Sequence, residues 1–273
     1  MSNSVSARTP CWPRRATLCL IGTLAVTVLV GLTACGASSP RGELAESQQI
    51  LASCDPSASP ASLVEIDGTG SSASAAIVAG RMVAIESVVR RTVICSGVLR
   101  VLVFSSSSAA TTILFDGPLR LEGATDNARL KRVAGVVADV MGKVRQAYGP
   151  AVAALAGGGS DITAQYRLAS EWIRQVGGNL RLHLYLLTDG FQNIGVNLGA
   201  RPLTKQQARA LANHAVVPTL SGASVLVAGL GRVAGRPPRS SVVEGLVAYY
   251  DALCQRTAAA KCVSVTDYAT EGR

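Results

Sequence analysis

Short apolar, β-branched runs alternate with segments of helical period along most of this chain, and that alternation limits its fold more than any other feature. The runs "SLVEI" (62–66), "VLRVLVF" (98–104), "RLHLYLLTDG" (181–190), "SVLVAGL" (224–230) and "CVSVT" (262–266) read as strands. Helical spacing of apolar residues separates them over 72–91, 125–156, 161–176, 204–214 and 240–257. Pro150, after Gly149, is expected to break the longest of these helices. One further strand, "TTILF" (111–115), follows 98–104 after the hydroxyl-rich turn "SSSSAA", close enough to be its hairpin partner. The pattern predicts an α/β fold: a doubly wound, mostly parallel sheet with one antiparallel edge strand and helices on both faces. Ligands of such folds sit beyond the carboxyl ends of the strands. That rule selects Asp67, the serines at 105–108, Asp189 and the loop from Gly229.

The start of the chain has a different character. Arg8, Arg14 and Arg15 precede the apolar run "TLCLIGTLAVTVLVGLTA", and small residues lead to Cys35. Leu32-Thr33-Ala34-Cys35 resembles the lipobox of bacterial lipoproteins, which implies a signal peptide over 1–34 and lipidation of Cys35. An uncleaved transmembrane anchor is the alternative, since the run is about long enough to span a bilayer. Either way the rest lies on the outer face of the cytoplasmic membrane. Residues 35–59, rich in Ser, Pro, Ala and Gly, read as a tether with at most a helical turn, and 60–273 as one domain.

Charge argues against a nucleic-acid partner. The leader's three arginines account for part of the +9 net charge, leaving +6 on scattered residues with no basic stripe. Beyond Cys35 the chain has four cysteines, Cys54, Cys95, Cys254 and Cys262, an even set suited to two disulfides in an oxidising compartment. Of three connectivities, Cys54 with Cys95 and Cys254 with Cys262 is preferred. The first pair lies just upstream of two strands expected to be neighbours, and the second brackets a short helix-to-strand turn.

The strand-end loops carry the chemistry. In "LVEIDGTGSS" (63–72), Asp67, Thr69 and Ser71 alternate with glycines, so one carboxylate and two hydroxyls can converge where the backbone bends. Such oxygen-only donors suit a hard divalent ion, Mg2+ or Mn2+. Helix capping by the same small polar residues is the plainer alternative. Three motifs in order resemble the metal-ion-dependent adhesion site of the von Willebrand factor A (VWA) domain family: Asp67-x-Thr69-x-Ser71, Ser160 in "GGGSDI", and Asp189 in "LLTDG". Thr69 stands where that family has serine and Ser160 where it has threonine; both exchanges keep the hydroxyl.

The resemblance implies a cation held by Asp67, Thr69, Ser71, Ser160 and Asp189, with a position open to a carboxylate from a protein or other acidic ligand of the cell envelope. Ser105, Ser106 and the rest of the serine run, with Phe191, Gln192 and Asn193, would then form the rim. The function expected is that of a lipid-anchored binding module and not an enzyme, since no Glu, His or Cys stands in these loops as base or nucleophile. A metal-free structural or assembly lipoprotein of the envelope is the alternative. "GLGRVAGR" (229–236) imitates a dinucleotide-binding loop but comes too late in the chain. His183 and His214 have structural settings, within a strand and at a helix end.

Overall fold

The structure, a computed structural model, describes residues 40–106, 111–155 and 158–270. The leader, Cys35, Ser107 and Ser108 lie outside the described residues. Among the described residues no helix is long and apolar enough to cross a membrane.

Six strands form one sheet: β1 (Ser59–Asp67), β2 (Val98–Phe104), β3 (Thr111–Pro118), β4 (Leu180–Leu187), β5 (Ser224–Ala228) and β6 (Lys261–Val265). Their order is β3-β2-β1-β4-β5-β6, parallel throughout except for the antiparallel edge pair β2–β3. The helices are α1 (Pro40–Ala52), α2 (Ala75–Ile94), α3 (Asp126–Leu130), α4 (Val133–Ala154), α5 (Ile162–Val176), α6 (Lys205–Ala212) and α7 (Ser240–Arg256).

The sheet is buried on both sides, which is why its strands read as continuous apolar runs rather than alternating ones. Val64 and Ile66 of β1 face a core completed by Ile85 and Val89 of α2 and Val137 and Val144 of α4. Ala61 and Leu63, one pleat away, face Tyr166 and Trp172 of α5 and Leu253 of α7. The Tyr249–Tyr250 pair on α7 is fully buried, edge to face at 5.1 Å.

Two details depart from the sequence-based expectation. Where a tether was expected, α1 has 13 residues and packs Leu44, Ile50 and Leu51 into the core beside α2 and α3. Its end is stapled to the C-cap of α2 by the Cys54–Cys95 disulfide. The second disulfide joins Cys254 and Cys262, so the preferred connectivity is the one formed. The second departure is Pro150, which lies inside α4 and does not end it. Gly149 before it has no Cβ to clash with the pyrrolidine ring, which relieves the usual restriction on the preceding residue. The helical segment instead breaks at Lys131-Arg132, between α3 and α4.

Candidate metal centre

Asp67 ends β1 at the middle of the sheet, between β2 and β4, and its side chain is the hub of the site. It is fully buried, yet both carboxylate oxygens are engaged. Oδ1 accepts from the Thr69 hydroxyl at 2.7 Å and the Thr69 N–H at 3.1 Å. Oδ2 accepts from the Ser160 hydroxyl at 3.0 Å and the Thr188 hydroxyl at 2.7 Å. Thr69 and Ser71 hydroxyl oxygens lie 3.3 Å apart, and Ser71 in turn bonds Asp189. The structure therefore gathers the five sequence-predicted residues, from three loops, into one cradle.

A hydroxyl that donates its single hydrogen to a carboxylate keeps its lone pairs. Thr69 and Ser160 each donate to Asp67, so their oxygens remain able to ligate a cation. Capping, the alternative role, falls mainly to other residues. The Ser74 hydroxyl accepts from Ile77 N–H at the start of α2, and Asp161 accepts from Ala164 N–H at the start of α5. Thr69 makes no side-chain cap bond to the 3₁₀ turn Gly70–Ser72 that follows it.

The electrostatics favour a positive occupant. Asp189 is 1 % exposed, and its carboxyl is held above the usual carboxylate range by burial first and by the negative charge of Asp67 second. The Ser71 hydroxyl, the Phe191 N–H and the charge of Arg81 oppose that shift. Two adjacent buried carboxylates beside hydroxyl oxygens are a donor set that fits a hard divalent ion. Among the described residues no three of His, Cys, Asp and Glu come together in a metal-holding group, so an ion at the cradle would depend on the hydroxyl oxygens beside the two carboxylates.

Two contributors escaped the sequence reading. Thr188 is completely buried; its hydroxyl donates to Asp67 and accepts from Gly190 N–H at 3.0 Å, tying the β4 loop to β1. Its only signal is its place beside Asp189. Arg81 of α2, also fully buried, donates from Nη1 to the Asp67 carbonyl at 2.7 Å and stands over the Tyr268 ring at 5.8 Å. Its signal is a lone arginine at an apolar-stripe position, between Ile77 and Ile85.

The expected rim is only partly rim. Phe191 is half-buried and Asn193 exposed, but Gln192 is 1 % exposed and cannot meet a ligand as placed. Its Oε1 accepts from both the N–H and hydroxyl of Thr163, and its Nε2 donates to Ile194 O, so it braces the start of α5. Asn193 accepts from Ser160 N–H at 2.8 Å and positions that hydroxyl. Ser105 is buried, its carbonyl accepting from Asp161 N–H, while Ser106 is half-buried.

The glycine-rich loop at 229–236 has a packing role. Gly231 N–H donates to Asp189 O and Ala234 N–H to Ser71 O, so this loop fastens the two halves of the cradle together. Gly229 (φ 95°) could carry no side chain, because a Cβ there would fall 2.4 Å from the Tyr268 ring. Gly190 (φ 83°) is likewise required, with its carbonyl accepting from the Tyr250 hydroxyl at 2.9 Å.

No protein-family model matches the chain, and no curated protein matches it. Among solved structures it is similar to the pilus adhesin SpaC from Lactobacillus rhamnosus GG in its open conformation, at 13% identity and a TM-score of 0.37. The similarity covers 78% of this chain and 28% of that one, so the chain spans well under two thirds of that adhesin's length.

Proposed function

We propose that this chain is a VWA-like binding module whose cradle at Asp67, Thr69, Ser71, Ser160 and Asp189 holds Mg2+ or Mn2+, and that a protein or other acidic ligand of the cell envelope docks on it. One observation carries the reading: Asp67 is bonded by hydroxyls from its own loop, from the start of α5 and from the end of β4. Asp189 lies close enough to feel its charge. A bound divalent ion would supply an electrophilic position for an Asp or Glu carboxylate of the partner. The chain's own part is to hold the hydroxyls in register and to bury the charge that attracts the ion. The proposal includes lipidation of Cys35, which would keep the module on the outer face of the membrane, and assigns no catalytic step.

A metal-free structural or assembly role is favoured by a different observation. Asp67 is already saturated with hydrogen bonds and has the guanidinium of Arg81 on its carbonyl, so the cradle is self-satisfied to a degree. Calorimetric titration with MgCl2 and MnCl2 separates the two readings. Metal binding at a hundred times Kd should add about 2.7 kcal/mol of stability, roughly 5–11 °C in Tm for a domain of this size. The absence of both heat and thermal shift at millimolar metal would defeat the metal reading. Chelator-sensitive capture of an envelope protein, lost with Asp67→Ala, would identify the partner.

A further inference from the structure

The face of the sheet opposite α5 and α7 is covered unevenly. There α2 packs on β1 and β2, and α4 on β2 and β3, while over β4, β5 and β6 the described chain leaves a groove of about 560 Å3. That volume lies within the roughly 300–1,000 Å3 of small-molecule sites. Its walls are Ile50 of α1 and Val88 and Arg91 of α2.

Strand register divides its floor into two rows of opposite character. His183, Ser224 and Lys261 are paired across β4, β5 and β6, forming one row. Two residues on, about 6.6 Å along the strands, Tyr185, Leu226 and Val263 form the next row on the same face. The first row, with Arg91 and Ser53 beside it, is basic and hydroxyl-bearing; the second is apolar. His183 shows the sign of the local field. Its pKa is lowered to about 4 by burial first and then by the positive charges of Arg91, Arg181 and Lys261. The neighbouring Arg181 is neutralised by Asp55, and Glu46 of α1 is the acid lining the groove against Arg91 and Lys261. Arg91 is anchored by its bonds to Ser53, at 3.1 Å to the hydroxyl and 3.5 Å to the carbonyl, which fixes a cation at the polar end.

An apolar floor that ends in two cations, the anchored Arg91 and the exposed Lys261, matches a ligand with an anionic head and a hydrocarbon body. We propose that this groove binds a medium-chain alkyl carboxylate, its carboxylate beside Arg91 and Lys261 and its chain over Tyr185, Leu226 and Val263. The site lies over the middle of β4 and the first halves of β5 and β6, whereas Asp67 and Asp189 stand at the carboxyl ends of their strands, and it shares no residue with the cradle.

The test uses the full chain in nanodiscs of zwitterionic lipid and a twelve-carbon carboxylate bearing a terminal diazirine. Photolabelling followed by peptide mapping should place the label on β4–β6, with decanoate competing and acetate and decyltrimethylammonium not. Exposed Lys261→Glu should cut labelling at least fivefold without altering the melt, and Val263→Trp, which fills the groove, at least tenfold. Labelling confined to other peptides, indifference to Lys261→Glu, or equal competition by the cationic amphiphile or by acetate would overturn the proposal.

Discussion

Glu65 offers the most quantitative test of how this fold is balanced. It sits mid-strand on β1, flanked in register by Leu102 of β2 and Leu186 of β4, and is completely buried against the α5 side of the sheet. Neither carboxyl oxygen has a hydrogen-bond partner among the described residues. Burial alone lifts its pKa well above the ordinary 4.5. The folded protein therefore holds a proton that the unfolded chain releases above about 4.5, and the sign follows. Stability from this group is fully present below the unfolded value and falls as pH rises towards the folded one, by about 1.4 kcal/mol per pH unit. Glu65→Gln keeps the shape and cannot ionise. Its stability relative to wild type should thus improve by about 1.4 kcal/mol for each pH unit across that window, or roughly 3–6 °C in relative Tm per unit. Urea and thermal melts of both proteins at pH 5, 6 and 7 measure it. A wild-type minus variant difference that stays flat across those pH values would refute the argument that the carboxyl is buried and proton-bearing.

Three further outcomes are expected. Thr188→Val removes one hydroxyl from Asp67 without changing volume, and should weaken Mg2+ binding about tenfold, as loss of an outer ligand support does, read by calorimetry; unchanged affinity would show that Thr188 does not orient the carboxylate. Arg81→Met removes the buried guanidinium that donates to the Asp67 carbonyl and whose charge opposes the upward shift of Asp189, so stability in chelator should fall by about 1.5–3 kcal/mol, the worth of a hydrogen bond from a charged group, and saturating Mg2+ should recover part of the loss. Replacing Cys54 and Cys95 by alanine opens a 41-residue separation and should cost about 4 kcal/mol, whereas the Cys254–Cys262 pair, separated by 8, should cost about 2.5 kcal/mol. Denaturant melts that reversed this order would contradict the chain-entropy account.

The order of strands and helices was legible because its signals are local: β-branched runs between turn residues, helical spacing, and a hairpin after Phe104. The metal candidates were legible for the same reason, since each lies at the end of a recognisable strand or the start of a helix. Local signals failed where a residue's meaning depends on what packs against it. The segment at 40–52 reads as polar tether, and only the neighbouring faces of α2 and α3 make it a helix packed against the core. Gln192 looks like a rim side chain from its place after Asp189, yet it turns inward because the start of α5 needs an acceptor there.

Sequence by itself, then, determined the α/β class, the edge hairpin and the inventory of oxygen-bearing side chains at strand ends. Tertiary structure decided which of them meet: Thr188 reaches Asp67 across 121 residues because β1 pairs with β4, and Ser160 reaches it across 93 because its loop is bonded to Asn193 and, through Asp161, to Ser105 at the end of β2. It also decided what no spacing announces, the buried Arg81 and Glu65 and the basic and apolar rows of β4–β6. The physical reason is that dihedral preference and hydrophobic period act over a few residues, whereas burial, pairing and electrostatic shifts arise only between surfaces that folding brings together.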